Sequence, residues 1–310
     1  MALILGVTVI ACGPGGPARA NGNDAPSKST SPEGPPVNNT TTEGTDHPLR
    51  ATPFYLALTS ALARRGMRLD SFCDINDEVA RRILEDYGAI YLAQDEITVP
   101  PVCMFTTGAA VKEFQNNARF TTAVVSGVKI DLQPAAMRDL QAAVEEARAA
   151  GTHITPKGGA EGARRSYDQT QKLWDSRFLP ALVHWQKVGR MTKADADRLR
   201  SLPIRDQVRE VLELEKRGIY FSKDLSKSIL YSVAAPGTSQ HIAMLALDVA
   251  EYGNASARRI LANHGWFQTV KSDMPHFTYL GRQEKVLPGL GLRSVTIGTQ
   301  VFWIPDTMGK

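Results

Sequence analysis

Residues 235–249 read APGTSQHIAMLALDV. The run is apolar enough for a buried strand, yet it carries Ser239, His241 and Asp248. Burying an imidazole or a carboxylate is costly unless the group is paired, hydrogen-bonded or bound to a metal. A second histidine, His276, follows in DMPHF at 273–277, with Asp273 three places before it. Two imidazoles and one carboxylate make a zinc set that leaves a fourth coordination position for water. With a single carboxylate the ion keeps net positive charge, so it can still polarise a carbonyl and acidify water. Seven residues of straight strand span ~23 Å, too far for two ligands of one ion, so the chain is expected to bend between His241 and Asp248.

The 310 residues suffice for one large or two modest domains. A hydrophobic content of 43% with 22% charge is that of an ordinary globular protein. The net charge of +4 is mild, and no basic run or aromatic-basic stripe marks a nucleic-acid binder. No apolar stretch reaches transmembrane length. The first twelve residues, MALILGVTVIAC, form a signal-like or lipobox-like segment. They read either as a lipoprotein signal with Cys12 lipidated or as a secretory core without lipidation. Export to the periplasm or cell envelope is expected, with membrane contact only through that N-terminal anchor. Residues 13–50 are rich in Gly, Pro, Ser, Asn and Thr and are expected to be a disordered tether. Cys73 and Cys103 then remain for the folded part. In an oxidising compartment they either pair or persist as two buried thiols, and spacing alone does not decide between these.

Residues 51–125 read as an N-terminal subdomain or cap, with helical stripes around Phe54–Met67 and Asp77–Tyr87. Residues 126–310 read as the main domain. Val124–Leu132 is strand-like, and Gln133–Ala150 is an amphipathic helix with Pro134 at its start and Gly151 after its end. A short strand at His153–Thr155 precedes a Gly-rich loop. Helices are expected at Arg165–Lys187, Thr192–Leu202 and Ile204–Arg217, the last stopped by Gly218. Short strands follow at Ile219–Phe221, Ile229–Ala234, Ala243–Val249, Trp266–Val270, Pro275–Leu280 and Val295–Ile304, interrupted by a helix at Ser256–Asn263. Helices first and a mostly antiparallel sheet afterwards predict an α+β fold, with helices packed on a small sheet that carries the zinc site. Trp174, Trp185 and Trp266 read as core rather than as a sugar-stacking platform.

The segment PGTSQH-x6-D, Pro236 to Asp248, followed by D-x-P-H-F, Asp273 to Phe277, resembles the zinc D,D-peptidase family. That family includes D-alanyl-D-alanine carboxypeptidases, dipeptidases and peptidoglycan endopeptidases, and the resemblance covers about residues 126–285. It implies that His241, Asp248 and His276 bind zinc, with Ser239 on the substrate side. It also implies that Asp273 is the general base beside the water the ion activates, a role suited to a carboxylate on a ligand's own segment. The family's carboxypeptidase branch commonly has Glu at that position, and its endopeptidase branch has Asp. Arg165, in ARRSYDQTQKLW, matches the family arginine that holds a substrate carboxylate, a task for which a guanidinium fork is well shaped. Met244 stands where the family usually has Gly, and Thr170 where it has Gln. The expected activity is removal of the terminal D-Ala from peptidoglycan stem peptides. The alternatives are an endopeptidase or L,D-carboxypeptidase on the same polymer, or a zinc-containing cell-wall binding module that does not cleave.

Overall fold

The computed structural model describes residues 47–308. The expected signal, Cys12 and the tether up to residue 46 lie outside the described residues. Pro48–Ala51 forms a 3-10 turn, and Leu49 already packs on the core. Four helices follow: α1 (Pro53–Arg64), α2 (Leu69–Phe72), α3 (Glu78–Tyr87) and α4 (Gly108–Ala118). Cys73 and Cys103 are joined in a disulfide with Cα atoms 5.5 Å apart. These helices share one hydrophobic cluster with the rest of the chain, in which Phe54, Leu58 and Ile83 pack with Trp174, Trp266 and Phe277. Two further bonds fasten the segment to residues 235–249. Phe105 N–H donates to the Gly237 carbonyl at 3.0 Å, and the Gln240 side-chain amide donates to the Tyr87 carbonyl at 2.8 Å. Gly237 has φ +79, and a Cβ there would lie 1.9 Å from the Phe105 oxygen, so only glycine permits this approach.

β1 (Thr121–Val125) and β2 (Val128–Leu132) form an antiparallel hairpin. Its two-residue turn, Ser126-Gly127, has positive φ at both positions, the geometry that matches strand twist. The strand expected at Val124–Leu132 is therefore the turn and second arm of a hairpin. α5 (Pro134–Ala149) buries Met137, Leu140 and Ala147 along one face, as its spacing predicts. α6 (Tyr167–Lys187) starts two residues later than expected, because Ser166 and Gln169 form a reciprocal capping box. α7 (Lys193–Ser201) is capped in the same way by Thr192 and Asp195, and α8 (Ile204–Lys216) ends before Gly218.

After α8 the backbone is more irregular than its apolar runs suggest. Ile219–Phe221 and Ile229–Ala234 are not strands. Ile229–Tyr231 is a 3-10 turn whose first N–H is met by the Glu215 carboxylate at 2.7 Å, so side chains replace the ladder a strand would need. Phe221 is buried in stacked contact with Phe178. β3 (Ala246–Asp248), α9 (Ala255–Asn263), β4 (Trp266–Phe267) and β5 (His276–Tyr279) complete the centre, with β5 between β3 and β4, antiparallel to both. The run at Val295–Ile304 is a hairpin of β6 (Leu292–Ile297) and β7 (Gln300–Pro305), turning at Gly298 with φ +60. Helices and small antiparallel sheets make the protein α+β. Among the described residues no helix is long and apolar enough to cross a membrane. Trp174 and Trp266 are fully buried and Trp185 nearly so, which places all three in the core.

Candidate metal centre

The register of the central sheet sets Asp248 on β3 directly opposite His276 on β5. Residues so paired project to one face with Cβ atoms ~4.5–5.5 Å apart, close enough for one imidazole and one carboxylate to reach a common point. His241 arrives by a different route. Gln240–Ala243 forms a 3-10 turn, and Met244 closes it in the left-handed region at φ +55, ψ +35. The Met244 N–H donates to the His241 carbonyl at 3.2 Å. This turn is the bend that the spacing requires, and it shortens the expected strand Ala243–Val249 to Ala246–Asp248. A left-handed residue with a Cβ costs ~1–2 kcal/mol, the physical reason a glycine suits this position. Met244 tolerates the strain with a side chain that is fully buried.

The donor atoms converge. His276 Nδ1 lies 3.1 Å from His241 Nε2, and Asp248 Oδ1 lies 3.4 Å from His241 Nε2 and 3.3 Å from His276 Nδ1. A tetrahedral ion with bonds of ~2.0–2.1 Å holds its ligands ~3.3–3.4 Å apart, so the triangle already has the dimensions of one face of such a site. Asp248 Oδ1 is buried and accepts no hydrogen bond. Its other oxygen takes a hydrogen bond from Arg165 Nη2 at 3.0 Å. The carboxylate is thus satisfied on one side and bare on the side that faces the imidazoles, an arrangement a cation completes. His241, Asp248 and His276 form the group that can hold a metal ion.

Gln240 decides which nitrogen His276 offers. Its Nε2 donates to the Tyr87 carbonyl, which can only accept, so its Oε1 must be the atom that faces His276. His276 Nε2 lies 2.8 Å from that oxygen and therefore carries the proton. A neutral imidazole protonated there presents a bare Nδ1 to the centre, the usual way an outer hydrogen bond fixes a metal ligand. Thr278 donates to the same Gln240 oxygen and is itself in contact with Thr269 at 2.6 Å. The two histidines are buried, His241 1% and His276 5% exposed, and Asp248 is partly buried.

Electrostatics agree with this arrangement. Burial, with the Arg165 guanidinium nearby, lowers the His241 pKa to about 4 against the opposing pull of Asp248, so its lone pair is free at neutral pH. Burial alone would raise the Asp248 carboxyl, but attraction to His241 and His276 holds it well below the usual carboxylate range. Burial raises Asp273 above its ordinary value, opposed by His276 and reinforced by Asp248.

A cleft of about 200 Å³ opens onto the centre. Arg165, Ser239, His241, Asp273 and His276 all line it, so residues selected from three separate sequence segments face one space. Arg165 is held by the Glu161 carbonyl at 3.0 Å through Nε and by Asp248 through Nη2. Gly162 lets the loop below pass close: a Cβ there would sit 2.0 Å from the Lys157 oxygen, and Lys157 N–H in turn donates to the Asp248 carbonyl at 2.7 Å. Sequence reasoning missed Gln240, Tyr87 and Arg177, all of which line the cleft. Only the position of Gln240, immediately before a ligand, could have drawn notice.

Fold and site together define an α+β protein with a buried two-histidine, one-carboxylate group able to hold a metal ion. No family model, curated protein or solved structure matches the chain.

Proposed function

We propose that the protein is an exported zinc peptidase of the D,D-peptidase family that acts on peptidoglycan stem peptides and removes a terminal D-Ala. The observation that carries this reading is that Asp273 and Arg165 line the same cleft as the histidines of the donor triangle. Zinc suits the donor set, since two imidazoles and one carboxylate at tetrahedral spacing are its familiar catalytic ligands. When bound, zinc supplies a Lewis acid that acidifies water and polarises a carbonyl. Asp273 takes the proton of the attacking water and returns it to the leaving amine, and burial that raises its pKa strengthens it as the base in the first half of that exchange. Arg165 keeps Nη1 free of partners among the described residues, leaving a donor for the substrate's terminal carboxylate. Ser239, buried at the cleft wall, offers a hydroxyl to the peptide backbone. The disulfide between Cys73 and Cys103 suits an oxidising compartment outside the cytoplasm.

One observation favours a second reading: the shorter Asp at position 273, where carboxypeptidases of the family carry Glu, suits an endopeptidase. Mass spectrometry of defined muropeptides after incubation with zinc-loaded protein separates the cases. Loss of one D-Ala from pentapeptide stems is expected, whereas cleavage within cross-links would favour the endopeptidase. Asp273→Asn should slow turnover by ~10²–10⁴-fold while zinc still binds. Binding of muropeptides with no cleavage by any form would leave a binding module, and equal rates for wild type and Asp273→Asn would remove Asp273 from the mechanism.

A further inference from the structure

The cleft contains a second arginine that the proposed reaction does not use. Thr170, Leu173 and Arg177 lie at positions i, i+3 and i+7 of α6 and all line the cleft, so one helix face forms its wall. The helix is tied down at the metal end, where Gly237 N–H donates to Thr170 Oγ1 at 3.2 Å. Arg177 is held further along by two serines. Its Nε donates to Ser232 Oγ at 3.1 Å and its Nη1 to Ser176 Oγ at 2.9 Å. Its Nη2 has no partner, and no carboxylate stands within salt-bridge distance of the guanidinium, among the described residues. A positioned, partly buried guanidinium without a counter-ion, in a cleft that also holds Arg165, is built to receive an anion.

We infer that Arg177 is a specificity-determining residue that reads a second carboxylate, so that the cleft selects acidic peptides over neutral ones. The inference rests on the proposed function, and it adds the substrate class. Arg177 lies seven residues along α6 from Thr170, ~10 Å further along the wall, so the acidic group sits upstream of the chain end held beside Arg165. Leu230, Tyr231, Ser232 and Val233 also line the cleft and carry no charge of their own, so they offer a lysine side chain no counter-ion.

The test uses pairs of synthetic peptides ending in D-Ala-D-Ala, each pair identical except for a free carboxylate or its carboxamide, placed in turn at each of several residues before the terminus. Zinc-loaded wild type, Arg177→Gln and Arg177→Lys are compared by kcat/KM and by calorimetric binding. Wild type is expected to favour the acidic peptide of one pair by about tenfold, the worth of one charge-assisted contact. Arg177→Gln should bring the two peptides of that pair to within about twofold, and Arg177→Lys should restore part of the preference. Equal handling of both peptides in every pair by wild type, or a preference that survives Arg177→Gln, overturns the inference while leaving the peptidase reading intact. Binding that depends on Arg177 without any cleavage supports the inference and overturns the peptidase reading instead. Binding of no peptide in any pair overturns both.

Discussion

Replacing Gln240 with leucine removes the group that orients His276 without touching any of the three metal-donor residues. The side chain is 3% exposed and joins three partners: it donates to the Tyr87 carbonyl and accepts from His276 Nε2 and Thr278 Oγ1. Leucine fills a similar volume but leaves those groups unmatched. A buried polar group stranded in this way costs ~1–3 kcal/mol. Thr278 keeps its contact with Thr269, so two stranded groups, Tyr87 O and His276 Nε2, set a loss of about 2–6 kcal/mol in the metal-free protein. His276 also becomes free to present either nitrogen. Losing the outer partner of a metal histidine typically weakens metal binding by ~10–100-fold. That corresponds to ~1.4–2.8 kcal/mol. Chelator competition at neutral pH measures the zinc Kd, and urea unfolding of metal-free protein measures stability. Gln240→Glu is the partner variant. It keeps an acceptor for His276 but sets a second acceptor against the Tyr87 carbonyl, so it should lose stability and retain most of the zinc affinity. A purely structural role would make zinc affinity fall in step with stability in both variants. Gln240→Leu binding zinc as tightly as wild type would refute the assignment of His276 Nδ1 as the ligand fixed by Gln240.

Acidification should destabilise the metal-free protein between about pH 6.5 and 4, because the unfolded chain takes a proton on His241 across that window while the native state refuses it. The contribution is fully present above the unfolded pKa and falls away as pH drops towards the folded one, by at most about 3 kcal/mol. Urea midpoints at pH 7 and pH 5 check this, and an unchanged midpoint with an unchanged slope would contradict a buried neutral His241. Reducing the disulfide, whose cysteines are 30 residues apart, should lower unfolding free energy by about 3–4 kcal/mol from released chain entropy. Parallel urea curves with and without reductant measure it, and coincident curves would count against the bridge.

What the sequence disclosed, and what it withheld, follows from how local each signal is. α5, α7 and α8 carry their apolar periodicity within a few residues of chain, along with start or stop signals such as Pro134, Thr192 and Gly218, and the structure has helices there. The meeting of His241, Asp248 and His276 was legible because the residue types alone make a ligand set. The way they meet was not. A 3-10 turn closed by a left-handed methionine lies where an uninterrupted apolar run predicts a strand, and nothing in Met244's chemistry announces positive φ. The runs at 219–221 and 229–234 misled for a related reason. Their apolar character reports burial, but their backbone groups are satisfied by Glu215, Trp185 and turn contacts that come from elsewhere in the chain. Gln240 was illegible because its meaning depends on Tyr87, more than a hundred residues earlier. Arg177 was one arginine among many on a helix until the cleft beside α6 was in view.

X-ray absorption at the zinc edge, with metal content measured on the same sample, tests the central claim most directly. One zinc per chain is expected, bound by two imidazole nitrogens and at least one oxygen at ~2.0–2.1 Å with no sulfur. His241→Ala and His276→Ala should each abolish that signature while the chain remains folded by circular dichroism. Zinc that is absent from wild type, bound through sulfur, or retained unchanged in both histidine variants would contradict the account.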